Sequence, residues 1–575
     1  MTPEFSSRSR AASLQEFRKQ HYDLLIIGGG ITGAAVARDA ITRGLKVALI
    51  EKGDFASGTS SRSSKLIHGG LRYLENFEIH LVFEALAERA FLLRTVPHMV
   101  RPLPFYMPVF KGDPYGMMAM DVGLWLYDLL ALFRTPSFHR RLSKKGMLKD
   151  IPFLRADGLA GGFRYYDASM WDDVLTVETL RDAQVRGAHV ANYVEAVQPV
   201  WTGDQISGYQ VRDVSGATPG EKFEIRAKRL VVCAGPWTDV LGAQLEKDWK
   251  PWLAPSKGVH IIFDLKKIPI PGSLVMSHPE DGRIVFVIPR PDFGSGVVIV
   301  GTTDGPAPAD PAKVAVERSD IDYLMALLKK YFPALDLKES DILSGYAGIR
   351  PLVGQWVESH TDPKKGGEST SASNLQKVSR EHHIGLGPGG SVFVAGGKYT
   401  THRLMAREIV DYTLKMWTKF AKAGKTSAPP AGLKKSQTHI PVNPHASSDA
   451  MKEAKRKASE MDARIPEELF GRYGADALDI VSAYDESSED PPGFPYLEGQ
   501  LRYAVKNGMV LHLKDFYLRR LPLYSSRKDH GLPWAEKLAR AFVEELGLKG
   551  DEAIKRMSDE LTALHSKIQQ LSTWN

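Results

Sequence analysis

The sequence predicts an α/β fold in which a parallel nucleotide-binding sheet is joined to a second, mixed-sheet domain and followed by a C-terminal helical domain. Three observations predict it. Residues 22–55, YDLLIIGGGITGAAVARDAITRGLKVALIEKGDF, read as strand, glycine turn, helix, strand. Residues 257–263, 283–289 and 297–300 alternate or run as apolar strands with turns between them, the pattern of an antiparallel sheet lying beyond the first unit. Residues 451–575 carry amphipathic helical patterns, among them 501–520 and 534–546, and no strand signal of similar strength.

In the first unit the apolar run 24–27 leads directly into Gly28-x-Gly30-x-x-Gly33. Gly28 permits a tight turn, Gly30 lets the backbone approach a pyrophosphate, and Gly33 allows the helix to pack close to the strand, with the helix N-terminus favouring negative charge. A second apolar run, 47–50, ends on Glu51, eighteen residues beyond Gly33, where a carboxylate accepts hydrogen bonds from both hydroxyls of an adenosine ribose and repels a 2′-phosphate. This is an adenine-dinucleotide site, and the unit alone leaves NAD and FAD both open.

Composition sets the outer limits. At 575 residues with 43% hydrophobic and 25% charged residues, the chain can bury a large core across several domains. Lysine and arginine outnumber aspartate and glutamate by 75 to 68, a net charge of +7, but the charges are interspersed and carry no nucleic-acid signature. The excess suits an anionic substrate or an anionic membrane surface. The single cysteine, Cys233, sits in the apolar run RLVVCAGPW, which excludes an internal disulfide and fits a reducing compartment. Residues 1–20 lack the apolar core of a signal or a span and are expected to form a mobile tail or a short leading helix.

Taken in order, residues 58–73 (GTSSRSSKLIHGGLRY) are rich in hydroxyls and glycines that donate to phosphate or to a flat ring, and they end with His68, Arg72 and Tyr73 close together. Residues 77–96 read as a helix stopped before Pro97, and Pro102, Pro104 and Pro108 mark an extended segment. Residues 117–133, MMAMDVGLWLYDLLALF, are the most apolar helix, too short and too interrupted by Asp121 and Asp128 for a span. A buried helix is the default, while the flank of Arg134, His139, Arg140, Arg141, Lys144 and Lys145 keeps an interface-lying helix on anionic lipid open. Residues 170–188 are helical, 190–200 and 208–213 are short strands, and 230–234 is an apolar parallel-sheet strand that breaks at Gly235-Pro236-Trp237, where ligands lie in open α/β sheets. Residues 320–332 form a helix, and 345–352 carry Arg350 between Ile349 and Pro351. The polar, turn-rich residues 359–378 read as a surface insertion or lid. Residues 391–401 give strand, glycine turn and hydroxyls before a helix over 404–416, whose positive end points at the sheet edge. The expected division is a tail (1–20), a nucleotide part (21–75, 170–250 and 345–418) interleaved with a substrate part (76–169 and 251–344), a linker (419–450) rich in Lys, Pro, Ser and Ala, and a helical domain (451–575).

The first unit with its HGGLRYLE segment (68–75), AGPW (234–237), KGVH (257–260), RIVFVIP (283–289), GTTD (301–304), GIRPL (348–352) and GGKYTT (396–401) resembles the flavin-dependent glycerol-3-phosphate dehydrogenase family over roughly residues 22–406. The helical C-terminal part, including 515–520, resembles that family's cap. The resemblance implies an FAD-binding, Rossmann-like domain of the glutathione-reductase type, a mixed-sheet substrate domain and a helical cap. It implies oxidation of sn-glycerol 3-phosphate to dihydroxyacetone phosphate, with electrons passed to a membrane quinone. The protein would be cytoplasmic and peripherally associated with the inner face of the cytoplasmic membrane; a homodimer is left open, and no metal is implied.

The cofactor residues so implied are Gly28, Gly30, Gly33, Glu51, Lys52, Thr59, Ser60, Ser61, Leu66, His68, Ala234, Gly235, Trp237, Gly397, Lys398 and Thr400. Arg350, Arg380 and Lys398 match the family's cations around the substrate, with Arg72 and Tyr73 supporting the pocket. Their chemistry is apt, because a phosphate monoester carries close to two negative charges and guanidinium groups bind it bidentately. The catalytic candidates are Lys398, Arg350 and a histidine that takes the C2 hydroxyl proton, His68 first and His260 second. An oxidase using oxygen, an amine or amino-acid oxidase on the same fold, and a non-enzymatic FAD-binding module are the competing readings.

Overall fold

The computed structural model describes the chain apart from residues 1–3, 72, 73, 75–77, 217, 219, 355–381, 444–446, 462–464, 488, 549 and 572–575. Arg72, Tyr73, Arg380 and the segment 359–378 therefore lie outside the described residues.

The strand His21–Ile27 is buried on both faces beyond its first residue, which is why its sequence is a continuous apolar run rather than an alternation. It is the centre of a parallel sheet whose order is Val392–Gly396, Lys222–Val232, His21–Ile27, Val47–Ile50 and His189–Ala191. His382–Leu386 pairs antiparallel at one edge. A meander of Val194–Thr202 and Gln205–Asp213 extends from Lys222–Val232. Helices Ile31–Arg43, Asp172–Val185 and His402–Lys422 pack Val36, Leu180 and Ile409 onto one face.

The other face is covered by the meander and by the first helix, Ser7–Lys19. That helix replaces the mobile-tail alternative expected for residues 1–20. Ser6 caps it, Arg10 pairs with Asp213 at 2.7 Å, and Phe17 is fully buried edge-on to Tyr22.

The second sheet runs Gly305–Pro306, Ser256–Asp264, Val297–Gly301, Ile284–Arg290, Ser273–Ser277, Val100–Phe110, Leu159–Met170 and Leu66–Ile67. It is mixed, since Ser273–Ser277 lies parallel to Val100–Phe110 while the other pairs along this order are antiparallel. Two pieces expected in the nucleotide part belong here. Ile342–Arg350 pairs with Ser256–Asp264, setting Arg350 opposite Ser256, and Leu66–Ile67 pairs with Ser169 and Ala168.

The helix expected over 117–133 forms as Met117–Leu130, but the default of a buried helix is corrected. Only Leu124, Tyr127 and Asp128 are buried, while Met118 (80% exposed), Val122, Trp125 (58%) and Leu129 project outward along one stripe at spacings of four, three and four residues. Asp121 and Asp128 both hydrogen-bond His139, which settles the two charges that interrupt the apolar run. The segment expected as a linker is likewise tied down. Lys434 N–H donates to the Arg43 carbonyl (2.9 Å), and the buried Arg38 guanidinium donates to the carbonyls of Ile440 (2.8 Å) and Pro441 (3.0 Å). The buried cationic side chain of Arg38 thus finds acceptors in a strap laid over its helix. Beyond it the helices Leu497–Asn507, Ala535–Glu545 and Asp551–Leu571 close a core of their own.

Replacing Phe17 with alanine removes a fully buried ring and is expected to destabilise the protein by about 3–5 kcal/mol, read as a lowered denaturant midpoint. A change below about 1 kcal/mol would place the first helix outside the cooperative fold.

Candidate active site

At the end of His21–Ile27 the chain turns sharply at Gly28, whose φ is +117°. A Cβ there would sit 2.3 Å from the Cys233 carbonyl oxygen, and one on Gly33 would sit 1.9 Å from the Gly28 oxygen. Helix Ile31–Arg43 can therefore begin directly against the turn only with glycine at both places. Gly33 packs the helix and is not on the cleft wall, consistent with the role its spacing implied. Gly30 precedes the helix in extended conformation, and the Ile31 N–H donates to Ser60 Oγ at 2.9 Å.

Glu51 is buried at the end of Val47–Ile50. Its Oε2 accepts from Gly29 N–H (2.7 Å) and its Oε1 from Gly53 N–H (2.8 Å). Burial pushes its carboxyl above the ordinary value, and those two amides oppose the shift. A carboxylate has about four lone-pair positions, so each oxygen keeps capacity for a ribose hydroxyl. Glu51 braces the glycine turn as well as facing the cleft.

These groups open onto a cavity of about 1420 Å³ lying between the two sheets. The nucleotide-sheet side brings Gly28, Gly30, Glu51, Lys52, Ala234, Gly235 and Trp237 to its wall, with Gly397, Lys398 and Thr400 ahead of helix His402–Lys422. The crossing loop adds Thr59, Ser60, Leu66 and His68, and the second sheet adds His260 and Arg350. Ser61 is the exception among the expected hydroxyls: it is absent from the wall, and its carbonyl accepts from Lys65 Nζ at 3.0 Å. Thr59 Oγ1 donates to the Ile349 carbonyl (2.7 Å) and joins the two domains. Lys52 is largely exposed and pairs with Glu195 at 2.9 Å.

Arg350 ends its strand with the guanidinium held on two sides. Nη1 donates to Ser256 Oγ (3.0 Å) and meets Asp304 Oδ1 at 3.3 Å, and Nη2 donates to Thr302 Oγ1 (2.9 Å) and the Thr303 carbonyl (3.1 Å). Gly258 leaves the room this requires, since a Cβ there would lie 2.5 Å from Nη2. The GTTD turn thus orients the arginine, a task that the motif did not reveal.

His260 is buried, stacked on Tyr346 with ring centroids 4.8 Å apart, and bonded through Nε2 to Ser64 Oγ at 2.9 Å. Its Nδ1 has no partner among the described residues. Burial first, then the charges of Arg350 and Lys65, push its pKa down to about 3. The loop beneath it is fixed by Asp172, which accepts from Lys65 Nζ (2.6 Å) and Ser63 Oγ (2.7 Å). His68 lies on the same wall, 6.4 Å from Phe286 between ring centroids. Its neighbour Gly69 donates N–H to Tyr127 Oη (2.9 Å), and that hydroxyl donates to the buried Asp167 (2.9 Å), itself paired with Arg89.

The residue reading overlooked two features. Arg62, in the Ser-rich loop, is on the wall, and its Nη1 donates to the Ala347 carbonyl at 3.3 Å. Its position in GTSSRSSK was the available signal. An apolar stretch of wall is made by Phe105, Met107, Phe286, Leu71 and, from the helix Met117–Leu130, Met120. These residues are distant in sequence, and no local pattern joins them.

Residues 23–403 match the model of the FAD dependent oxidoreductase family, and residues 438–553 that of the C-terminal domain of alpha-glycerophosphate oxidase. The parallel sheet, the glycine turn and the interdomain cleft are therefore those of a flavin-dependent oxidoreductase. Aerobic glycerol-3-phosphate dehydrogenase of Staphylococcus haemolyticus is 34% identical over 94% of this chain and 93% of its own. Its counterpart in Staphylococcus aureus strain USA300 is 35% identical over 90% and 89%. The crystal structure of the glycerol-3-phosphate dehydrogenase from Bacillus halodurans complexed with FAD superposes with a TM-score of 0.73 at 28% identity, covering 99% of this chain and 98% of that one. The chain belongs to the FAD-dependent glycerol-3-phosphate dehydrogenase family. FAD is its cofactor, and the side-chain-free turn at Gly28, the bare helix start at Gly30 and the two-oxygen acceptor Glu51 fit its ADP half.

Because His260 stays neutral in the folded protein until about pH 3 and titrates near 6.5 when unfolded, the unfolded chain alone takes up that proton as pH falls below 6.5. Stability is lost in that direction. His260→Gln is expected to flatten the pH dependence of unfolding free energy between pH 5 and 6 by up to about 1.4 kcal/mol per pH unit. An unchanged slope would mean that His260 is protonated in the fold.

Proposed function

We propose that this protein oxidises sn-glycerol 3-phosphate to dihydroxyacetone phosphate and passes the electrons to a membrane quinone while lying on an anionic membrane surface. The observation that carries this reading is the single cleft, which joins the dinucleotide turn, the cations Arg350 and Lys398 and the apolar inner side of Met117–Leu130.

Arg350, oriented by Asp304 and Thr302, presents its positive charge to the phosphate, and Lys398 adds a second cation. On the motif alone, Arg380 is a further cation around the substrate and Arg72 and Tyr73 support the pocket. The cofactor residues named from the motifs, Ser61 apart, would hold FAD, whose chemistry would be to accept the hydride leaving C2. His68 takes the proton of the C2 hydroxyl. His260, whose burial and cationic neighbours hold it neutral to about pH 3, is the weaker base in this state and orients the substrate by hydrogen bonding. Lys398 and Arg350 stabilise the charge that develops on the oxygen as that proton leaves.

The outward stripe Met118, Val122, Trp125 and Leu129, with Leu132, Phe133 and Phe138 beside it, is a contiguous exposed apolar surface. The exposed Arg140, Lys144 and Lys145 flank it. None of the described helices is long and apolar enough to cross a membrane. An apolar stripe with a basic border suits a helix lying in the interface, and Met120, on the inner side of the same helix, lines the cleft through which a quinone would approach. Oxygen as acceptor is the second reading, favoured by the match of residues 438–553 to an oxidase's C-terminal domain.

With glycerol 3-phosphate and vesicles containing anionic lipid and a quinone, quinone reduction is expected to outpace peroxide formation. Trp125→Asp/Leu129→Asp, at exposed positions, is expected to abolish vesicle co-sedimentation and to slow quinone reduction about tenfold or more, the loss of two apolar anchors. Rapid peroxide formation without quinone reduction would favour the oxidase; undiminished vesicle binding by the variant would refute the docking face.

A further inference from the structure

No described residue beyond Thr400 lines the cleft, so the C-terminal domain touches the reaction only through other groups. One such connection is built from charges and is buried. Arg520 donates from Nη1 to Asp54 Oδ2 and from Nη2 to Asp54 Oδ1, both at 2.9 Å, and Arg519 Nε donates to Oδ2 at 2.5 Å. Asp54 is 1% exposed, and Arg519 and Arg520 are buried as well. Both arginines sit at the end of Phe516–Arg520, a π-helical turn.

Asp54 sits three residues after Glu51, in the loop that forms the outer side of the dinucleotide turn. Its neighbour Gly53 donates N–H to Glu51, Phe55 packs where a Cβ on Gly29 would meet its ring at 2.6 Å, and Ala56 N–H donates to the Gly29 carbonyl at 3.1 Å. A carboxylate buried this deeply beside a second buried carboxylate needs both guanidinium groups to remain ionised and in place. Among the described residues nothing else in this loop ties it to the C-terminal domain with comparable geometry, a bidentate fork plus a third charged bond.

We propose that the C-terminal domain retains FAD at a distance: Arg519 and Arg520 are positioning residues that clamp Asp54, and through its loop they hold Glu51 and the glycine turn closed on the adenosine half of the cofactor. Release of the clamp loosens FAD without altering the substrate wall at Arg350 and Lys398. The proposal rests on Glu51 and the turn being the adenosine site, and the same experiment tests that separately.

The test uses the full-length, FAD-loaded protein, with free-FAD fluorescence on dilution giving the apparent Kd. Arg520→Gln is expected to raise that Kd tenfold or more and to shrink the rise in thermal midpoint that FAD produces, while KM for glycerol 3-phosphate at saturating FAD stays within twofold. Adding Asp54→Asn to Arg520→Gln is expected to change the Kd by much less than the two single effects combined. Where Arg520→Gln does not fold, Arg520→Lys, which keeps the charge and loses the fork, and the charge-neutral double variant carry the same test. A Kd within twofold of the parent, with apo and FAD-loaded midpoints lowered equally, would reduce the clamp to a structural contact and overturn the proposal. Glu51→Gln is the control. If it leaves the Kd unchanged the adenosine site has been misassigned, whereas a weakened Glu51 variant beside an unaffected Arg520 variant sinks the clamp alone.

Discussion

The structure depends on the contact between three strand ends at the glycine turn. Strands His21–Ile27, Lys222–Val232 and Val47–Ile50 stop side by side, so that the Cys233 carbonyl, the Gly28 backbone and the Glu51 carboxylate crowd one spot. A helix starts against them with less than a side chain's width to spare. Any Cβ at Gly28 would lie 2.3 Å from the Cys233 oxygen and drive strand and helix apart. The consequence is a helix N-terminus at the wall of the cleft, whose positive end suits a pyrophosphate. The rest of the fold supplies walls for what that helix end can hold.

The second constraint is how the mixed sheet is joined to the first. Leu66–Ile67 leaves the nucleotide side to join the second sheet, to which Ile342–Arg350 also belongs, and Thr59 bonds across to Ile349. The cleft is therefore lined from both sheets by segments that bind them together. Arg350 gains its fixed geometry from this arrangement, because Ser256, Thr302 and Asp304 come from neighbouring strands and turns of the sheet into which its strand inserts. A guanidinium with several acceptors already placed loses little conformational freedom when an anion arrives.

What the sequence made legible was local. Strand, turn, helix and acid lie within thirty residues of one another, and each step has its own physical signature, so the dinucleotide unit could be read directly. The inward place of Arg350 on the cleft wall had a local signal in its apolar neighbours Ile349 and Pro351. The misplaced features rest on partners far away in the chain. Helix Met117–Leu130 looked buried because its apolar residues are numerous; its exposed stripe emerges only once His139 accounts for Asp121 and Asp128. Residues 434–441 read as linker because nothing nearby asks for them, while Arg38, about 400 positions earlier, does. Asp54 and Arg520 are separated by 466 residues, and no periodicity announces such a pair. Ser61 is off the cleft wall, and a hydroxyl-rich loop does not declare which of its residues face inward.

The central claim is that a polyol phosphate delivers its electrons to FAD in this cleft. The most direct measurement is the flavin absorbance of the purified protein, without oxygen, as glycerol 3-phosphate is added. The account predicts that the absorbance near the flavin maximum is lost in proportion to the substrate added and returns when an acceptor is supplied. Absorbance that persists under a large excess of glycerol 3-phosphate would contradict it.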